Sequence, residues 1–290
     1  NTEGSENFRT TTVTGNNSKI IYYIDRKFNS KTEGMVLATD YIDLTTSQLL
    51  KRVEKIYSLG FKVGNNWFVS DRKSPQSTVN AKQITQHVNL SSILETRYSS
   101  TEQLDVDEYK ITFEGYDEYG LAEKTFEFNN LEVDDGSLVI KKATRQTYIN
   151  NTSLWLIGLP SEIFVSDSKE FPNVARKKTT YYDGTSEYKM LPKGIYSFEK
   201  LIKQATSYDS EGNLSRVDYN STNEPNTIDG TRYTEYSNYY RGTAQTVTKP
   251  QPHKLKQMSR TQIVDSNGWI KETSDFNGVP TYYKYDEMGR

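Results

Sequence analysis

The chain has 290 residues, a formal net charge of −2 with acids and bases well mixed, and no cysteine. Disulfides, thiolate nucleophiles and cysteine-based metal sites are therefore excluded, nothing in the charge balance favours nucleic acid or an anionic membrane, and no apolar run is long enough to cross a bilayer. The hydrophobic fraction is only 34%, but 22 Tyr, 11 Phe and 3 Trp can bury large areas while keeping polar tips wet, which suits thin, extended sheets better than a thick leucine core.

Residues 1 to 44 read as a polar lead-in followed by strands, clearest over Ile20-Ile21-Tyr22-Tyr23-Ile24. One short helix is expected near residues 47–58. Thr45-Thr46-Ser47-Gln48 fits a capping box, Leu49, Leu50, Val53, Ile56 and Tyr57 fall on one helical face, and Gly60 sits where a C-cap belongs. Its charges, Lys51, Arg52, Glu54 and Lys55, are mixed, and its expected job is to cover a sheet edge or barrel opening.

From about Gly60 onward the chain reads as short strands and turns. Tyr109, Ile111 and Phe113 alternate with Lys110, Thr112 and Glu114, the pattern of a strand with one buried face. Phe126-Glu127-Phe128 and Leu138-Val139-Ile140 continue it around Asp134-Asp135-Gly136, a hairpin signal. Trp155-Leu156-Ile157-Gly158-Leu159-Pro160 is the most apolar segment, and Pro160 is expected to end it. Arg176-Lys177-Lys178 reads as a solvated edge or strand. Asn220 to Asp229 and Lys249-Pro250-Gln251-Pro252 read as loops too short to be domain linkers.

An Asp-x-x-Gly tetrad recurs, usually behind an aromatic or apolar residue. It appears at Tyr116-Asp117 with Gly120, Tyr208-Asp209 with Gly212, Val264-Asp265 with Gly268, Ser274-Asp275 with Gly278, and Tyr285-Asp286 with Gly289-Arg290. The last three Asp residues lie ten and eleven positions apart, about one hairpin strand plus its turn. Asp accepts hydrogen bonds from backbone N–H groups ahead of it, and Gly supplies the positive φ that other residues resist. The tetrads are therefore expected to be turn builders rather than acids, bases or metal ligands.

Trp269 followed by Asp275-Phe276-Asn277-Gly278-Val279-Pro280-Thr281-Tyr282-Tyr283-Lys284-Tyr285-Asp286-Glu287-Met288-Gly289-Arg290 resembles the YD repeat of RHS proteins, as do Tyr239-Tyr240-Arg241-Gly242 and Asp265-Ser266-Asn267-Gly268-Trp269. The Trp155–Pro160 segment is similar to the text that precedes such repeats in bacterial RHS toxins and in the B component of Tc toxins; teneurin-like shells are more distant. The resemblance covers residues 150 to 290, and the ending is its most specific part. Gly212 is followed by Asn213 rather than Arg, and Val264 and Ser274 replace the Tyr of the pair. Residues 1 to 105 carry no recognised motif.

The resemblance implies an all-β fold: an extended, curved antiparallel sheet of short strands and hairpins, one section of a hollow cocoon. Residues 1–150 would be a β-rich lead-in and 151–290 the repeat region, continuous with it. Implied partners are further repeats of the same parent chain, an enclosed toxin polypeptide and a delivery-complex subunit, in a secreted or cell-surface bacterial protein. No cofactor is implied and no catalytic residue is assigned. The N-terminus, Asn1-Thr2-Glu3-Gly4, shows no signal peptide and the chain stops inside a repeat, so a piece of a longer protein is expected.

Other chemistry finds little purchase. His87 and His253 stand in different polar contexts, so a triad or a histidine-ligated metal would need tertiary structure to assemble it. Asp105, Asp107, Asp134 and Asp135 show no spacing that singles out a glycosidase pair, and neither the EF-hand pattern nor a glycine-rich phosphate loop is present. Asn89-Leu90-Ser91 and Asn220-Ser221-Thr222 are chance triplets in an Asn- and Ser-rich chain. Two alternatives stay open: a carbohydrate-binding adhesin module with exposed aromatics, and a β-rich glycoside hydrolase with paired carboxylates.

Overall fold

The computed structural model describes residues 8–26, 32–63, 66–70, 86–99, 106–129, 133–134, 137–220, 228–250, 257–286 and 289. Among these the chain is all-β, with 21 strands, every pairing antiparallel and no helix. It divides into two compact units: Asn1–Asn150 with Ile157–Leu159 and Ile163–Asn173, and Asn151–Leu156 with Pro160–Glu162 and Val174–Arg290.

In the first unit, β1 (Phe8–Thr14), β2 (Ser18–Asp25), β3 (Val36–Asp43), β4 (Leu49–Val63), β6 (Gln86–Tyr98), β7 (Val106–Tyr116), β8 (Ala122–Asn129) and β11 (Lys142–Asn151) pair in that order as an open meander. The strand β5 (Asn66–Ser70) folds back on the far end of β4. Two-residue strands β9 (Val133–Asp134) and β10 (Ser137–Leu138) pair around the Asp134-Asp135-Gly136 signal; Asp135 and Gly136 lie outside the described residues. In the second unit, β13 (Lys177–Tyr181), β14 (Pro192–Ser197), β15 (Lys200–Tyr208), β16 (Leu214–Asn220), β17 (Ile228–Tyr240), β18 (Thr243–Pro250), β19 (Gln257–Val264), β20 (Ile270–Ser274) and β21 (Pro280–Tyr282) form a second open meander. In chain order β12 (Leu156–Ser166) follows β11, and its residues are divided between the two units. Register shifts at Thr180/Tyr181, Ile195/Tyr196, Ala205/Ser207, Asp218/Tyr219 and Ile263/Val264 recur along this unit, and each bends its strand and adds local twist.

The helix expected near residues 47–58 does not form; the segment is β4, the longest strand among the described residues, paired with β3 on one side and β6 on the other. The supposed capping box is the loop of the β3–β4 hairpin. Asp43 Oδ1 accepts from the amides of Thr45 at 2.7 Å and Thr46 at 2.9 Å, and Asp43 N donates to Gln48 O at 2.9 Å, so the Asx-turn starts one residue pair earlier and turns the chain back instead of into a helix. Val53, Ile56 and Tyr57 suit a pleated surface, and the charges find cross-strand partners: Lys51 with Glu95 at 3.5 Å and Arg52 with Asp40 at 3.7 Å. The apolar stripe was misleading, since Leu50 and Ile56 are 43% and 54% exposed. Gly60, read as a C-cap, is in mid-strand, opposite His87 of β6.

Two smaller expectations also change. On β7 the residues from Glu108 to Phe113 are all half-buried, so neither face is cleanly dry; long side chains such as Lys110 cover their own face. Pro160 does not end its segment, because β12 continues through it to Ser166; Pro160 is exposed, and its carbonyl accepts from the Tyr181 hydroxyl at 2.7 Å.

The buried core combines aromatic and small apolar residues. In the first unit Phe126, Phe128 and Ala143 pack with Leu138, Ile140 and Phe171, and the Arg145 guanidinium lies 4.1 Å from the Phe164 ring centre. In the second, Ala175, Leu201, Ala205, Val217, Ala244, Val247 and Val264 are buried alongside the polar Thr234 and Asp218. Arg216 makes Asp218 affordable there: Nε and Nη2 fork onto its carboxylate at 3.1 and 2.8 Å, while Thr206 Oγ1 donates to Asp218 Oδ2 at 2.6 Å. No helix among the described residues is long and apolar enough to cross a membrane.

Candidate functional site

The Asp-x-x-Gly tetrads fold into one recurring hairpin tip. At Asp117, Asp209, Asp265 and Asp275 the Asp amide donates to the carbonyl four residues on, at 3.0, 2.8, 2.9 and 3.0 Å. Gly120, Gly212, Gly268 and Gly278 each return a bond to the Asp carbonyl at 3.1 Å, and Gly289 does the same to Asp286 at 3.0 Å. All five glycines hold φ between +77° and +89°. This is the three-residue hairpin loop closed by a left-handed residue, the position at which L side chains are strained.

Each carboxylate then pins two amides. Asp117 Oδ1 accepts from Tyr119 and Leu121, both at 2.9 Å; Asp209 Oδ1 from Glu211 and Asn213 at 3.1 and 2.7 Å; Asp265 Oδ1 from Asn267 and Trp269 at 2.8 and 3.0 Å; Asp275 Oδ1 from Asn277 and Val279, both at 2.8 Å. The Asn213 side chain at Asp209 and the Val279 amide at Asp275 lead the contacts that hold those carboxyls below the usual carboxylate range. Carboxylates saturated by backbone donors suit structure rather than proton transfer. Among the described residues, no group of three or more His, Asp or Glu side chains is gathered where it could hold a metal ion.

The tyrosine ahead of the Asp ties the tip to its neighbour strand. The hydroxyls of Tyr116, Tyr208 and Tyr285 donate to the carbonyls of Leu90, Pro192 and Ile270, the last at 2.8 Å. Tyr57, Tyr148, Tyr182 and Tyr239 repeat the device on Val36, Ala122, Ala205 and Leu214 at 3.0, 3.1, 2.8 and 2.6 Å. Burial pushes the Tyr116 and Tyr208 hydroxyls up to about 12, with Tyr148 and Tyr182 as the secondary causes.

Within the second unit, antiparallel pairing puts alternate connections at the same end of the sheet. One end collects the tips at 151–156, 182–191, 209–213, 241–242, 265–269 and 286–289, and the Asp275 tip lies at the other. The glycines make this end a ladder. A methyl group added at Gly184 would lie 2.9 Å from Asn151 Nδ2 and 3.4 Å from Leu154; at Gly212, 3.9 Å from Leu191; at Gly268, 3.6 Å from Arg241; and at Gly289, 2.9 Å from the Trp269 ring. These four glycines thus face the tip before them, whereas a methyl group at Gly242 would meet nothing within 4 Å, and Trp269 packs in turn on Tyr285 with ring centres 5.4 Å apart.

Sequence reasoning missed three further tips of this unit, of which the one at Phe198 lies at the end opposite the ladder. Tyr182-Asp183-Gly184 is another tip, its Asp183 Oδ1 accepting from Thr185 N at 2.9 Å, although it lacks the full tetrad spacing; the Tyr-Asp pair was the available signal. Trp155 and Phe198, 84% and 60% exposed, hold left-handed φ of +54° and +47° at hairpin tips, and no local pattern marks them. Arg290, Asp105, Asp135 and His253 lie outside the described residues, as do the side chains of His87 and Asp134. Asp107 is exposed on β7, opposite Arg97.

No protein-family model matches the sequence, and no curated protein matches it. Among solved structures the chain is similar to the crystal structure of TcdB2-TccC3 over 96% of this chain and 16% of that one, at 14% identity and a TM-score of 0.39. It is similar to the Tc holotoxin pore of Photorhabdus luminescens over 98% of this chain and 21% of that one, at 10% identity and a TM-score of 0.29. A porin-like protein from Bacteroides uniformis is similar over 90% of this chain and 91% of its own, at 10% identity and a TM-score of 0.28. The chain thus spans about a sixth of the TcdB2-TccC3 chain, and each of these likenesses is weak enough that the chain's own residues must carry the functional conclusion.

Proposed function

We propose that this chain is a section of wall in an RHS-type shell that encloses a toxic C-terminal polypeptide and helps deliver it. The observation that carries this is the run of tips at one end of the second unit: the Gly-to-Asp closure recurs at Asp209, Asp265 and Asp286, Gly184, Gly212, Gly268 and Gly289 each face the tip before them, and the Tyr208, Tyr239 and Tyr285 hydroxyls are tied to neighbouring backbone. Such a unit extends a sheet strand by strand without needing a thick core, which is what a wall requires. Its role is mechanical and non-catalytic: paired strands keep proteases and solvent away from what lies behind them. Further repeats of a parent chain, the enclosed polypeptide and a delivery-complex subunit are its partners in this proposal, in a secreted or cell-surface bacterial protein.

The test is limited proteolysis of the full-length parent. The C-terminal polypeptide should survive while the shell is intact and be degraded once the shell is denatured. Equal degradation in both conditions would sink the proposal, as would hydrolysis of a glycan panel by the purified chain. An adhesin reading draws on the exposed Trp155; glycan binding that Trp155→Ala abolishes would favour it instead.

A further inference from the structure

The chain contains two Asn-Gly dipeptides, Asn267-Gly268 and Asn277-Gly278, and both fall in the last two positions of a tetrad. We propose that these are latent modification sites which the folded tips hold closed, and that opening a tip exposes it to succinimide formation and a permanent isoaspartyl scar. In that reaction a base removes the proton from the glycine nitrogen, and the nitrogen attacks Cγ of the preceding asparagine. A new N–Cγ bond forms, the side-chain nitrogen leaves as ammonia, and water then opens the ring to aspartate or isoaspartate. Nothing is oxidised or reduced, and water is the one co-reactant. Glycine makes the step fast because no Cβ obstructs the attacking nitrogen.

Both asparagines are exposed, so solvent access does not protect them. The hydrogen bonds do. Gly268 N donates to Asp265 O at 3.1 Å, and the amides of Asn267 and Trp269 on either side are pinned to Asp265 Oδ1 at 2.8 and 3.0 Å. Gly278 N donates to Asp275 O at 3.1 Å, with Asn277 and Val279 pinned to Asp275 Oδ1, both at 2.8 Å. To attack, the glycine nitrogen must leave its acceptor and rotate towards the asparagine side chain, which the two pinned amides forbid. Once formed, isoaspartate adds a methylene to the main chain, so the Asp-to-Gly closure cannot be remade. A tip that opens for long enough is marked irreversibly.

The experiment follows deamidation of Asn267 and Asn277 separately by peptide mass mapping of the 290-residue chain at mildly alkaline pH, folded and in concentrated urea. Both should react at least about tenfold more slowly in the folded chain, as expected for chemistry gated by local opening. Asp265→Ala should accelerate Asn267 while leaving Asn277 at its folded rate, Asp275→Ala should show the opposite asymmetry, and Asp265→Asn, which keeps the acceptor oxygen, should stay near wild type. Equal rates in the folded and unfolded chain would overturn the proposal. So would equal acceleration of both asparagines by each Ala variant, which would place the protection in the sheet as a whole, or an Asp265→Asn chain as labile as Asp265→Ala.

Discussion

Gly212 separates what the backbone demands of a tip from what packing demands. It holds φ of +83°, and the nearest atom a methyl group would meet is Leu191 Cδ1 at 3.9 Å, ordinary van der Waals contact. Gly212→Ala should therefore cost only the left-handed penalty of an L-residue, about 1–2 kcal/mol, or a fall in Tm of about 2–8 °C for a unit of this size. Asparagine tolerates that conformation through its own local hydrogen bonding, so Gly212→Asn should lose less than Gly212→Ala despite its larger side chain. Gly194 is the steric counterpart: its φ is not left-handed, but a methyl group there would lie 2.8 Å from Thr180 Oγ1 and 2.9 Å from the Tyr196 ring. Gly194→Ala should also destabilise, and Gly194→Asn should be worse still, the reverse of the order at 212. Urea midpoints at constant m-value provide the measurement. If Gly212→Asn is no better than Gly212→Ala, or Gly212→Ala is neutral, the left-handed conformation is not what selects glycine at the tips.

Tyr116→Phe and Tyr208→Phe each remove one hydroxyl tie and should cost about 1 kcal/mol apiece in urea unfolding; no loss in either would show that the ties are incidental. Because burial raises those two hydroxyls from 10.0 to about 12, the unfolded chain releases its protons first, so stability present below pH 10.0 should be lost as pH rises towards about 12. Tyrosinate absorbance and circular dichroism should then change together, and the double Phe variant should flatten the dependence. At the acid end, hydrogen bonds from the Thr185, Asn213 and Val279 segments lower Asp183, Asp209 and Asp275 from 3.8, so their contribution is complete above that pH and is lost as pH falls below it. Asp209→Asn should shrink this acid sensitivity in urea titrations. Ile56→Lys, in the segment that reads as a helix, should change stability by less than about 0.5 kcal/mol, whereas Leu59→Ala on the same strand should cost about 2–5 kcal/mol; equal costs would contradict the strand assignment of exposure along β4.

The tips were legible in the sequence because everything they need is local. Asp-x-x-Gly places an acceptor and a left-handed residue at the required spacing, and Asp117, Asp209, Asp265 and Asp275 all pin amides two and four residues ahead of themselves. The Tyr at the strand end was visible too, but its partner was not: the carbonyls of Leu90 and Pro192 lie 26 and 16 residues away. The segment from Leu49 to Tyr57 failed for the complementary reason. Its apolar spacing fits both a helix and a strand, and only pairing with β3 and β6, together with the Asp43 turn, decides between them.

By itself, then, the sequence determined the β class, the absence of any cysteine chemistry and the places where the chain must turn, since composition and short-range hydrogen bonding are properties of a few adjacent residues. Tertiary structure decided which tips share an end of the sheet, that Gly289 seats on Trp269 as Gly212 does near Leu191, and that Trp155 stands exposed in a left-handed backbone. Those outcomes depend on strand order and register, which bring together residues far apart in the chain, and no local pattern encodes them.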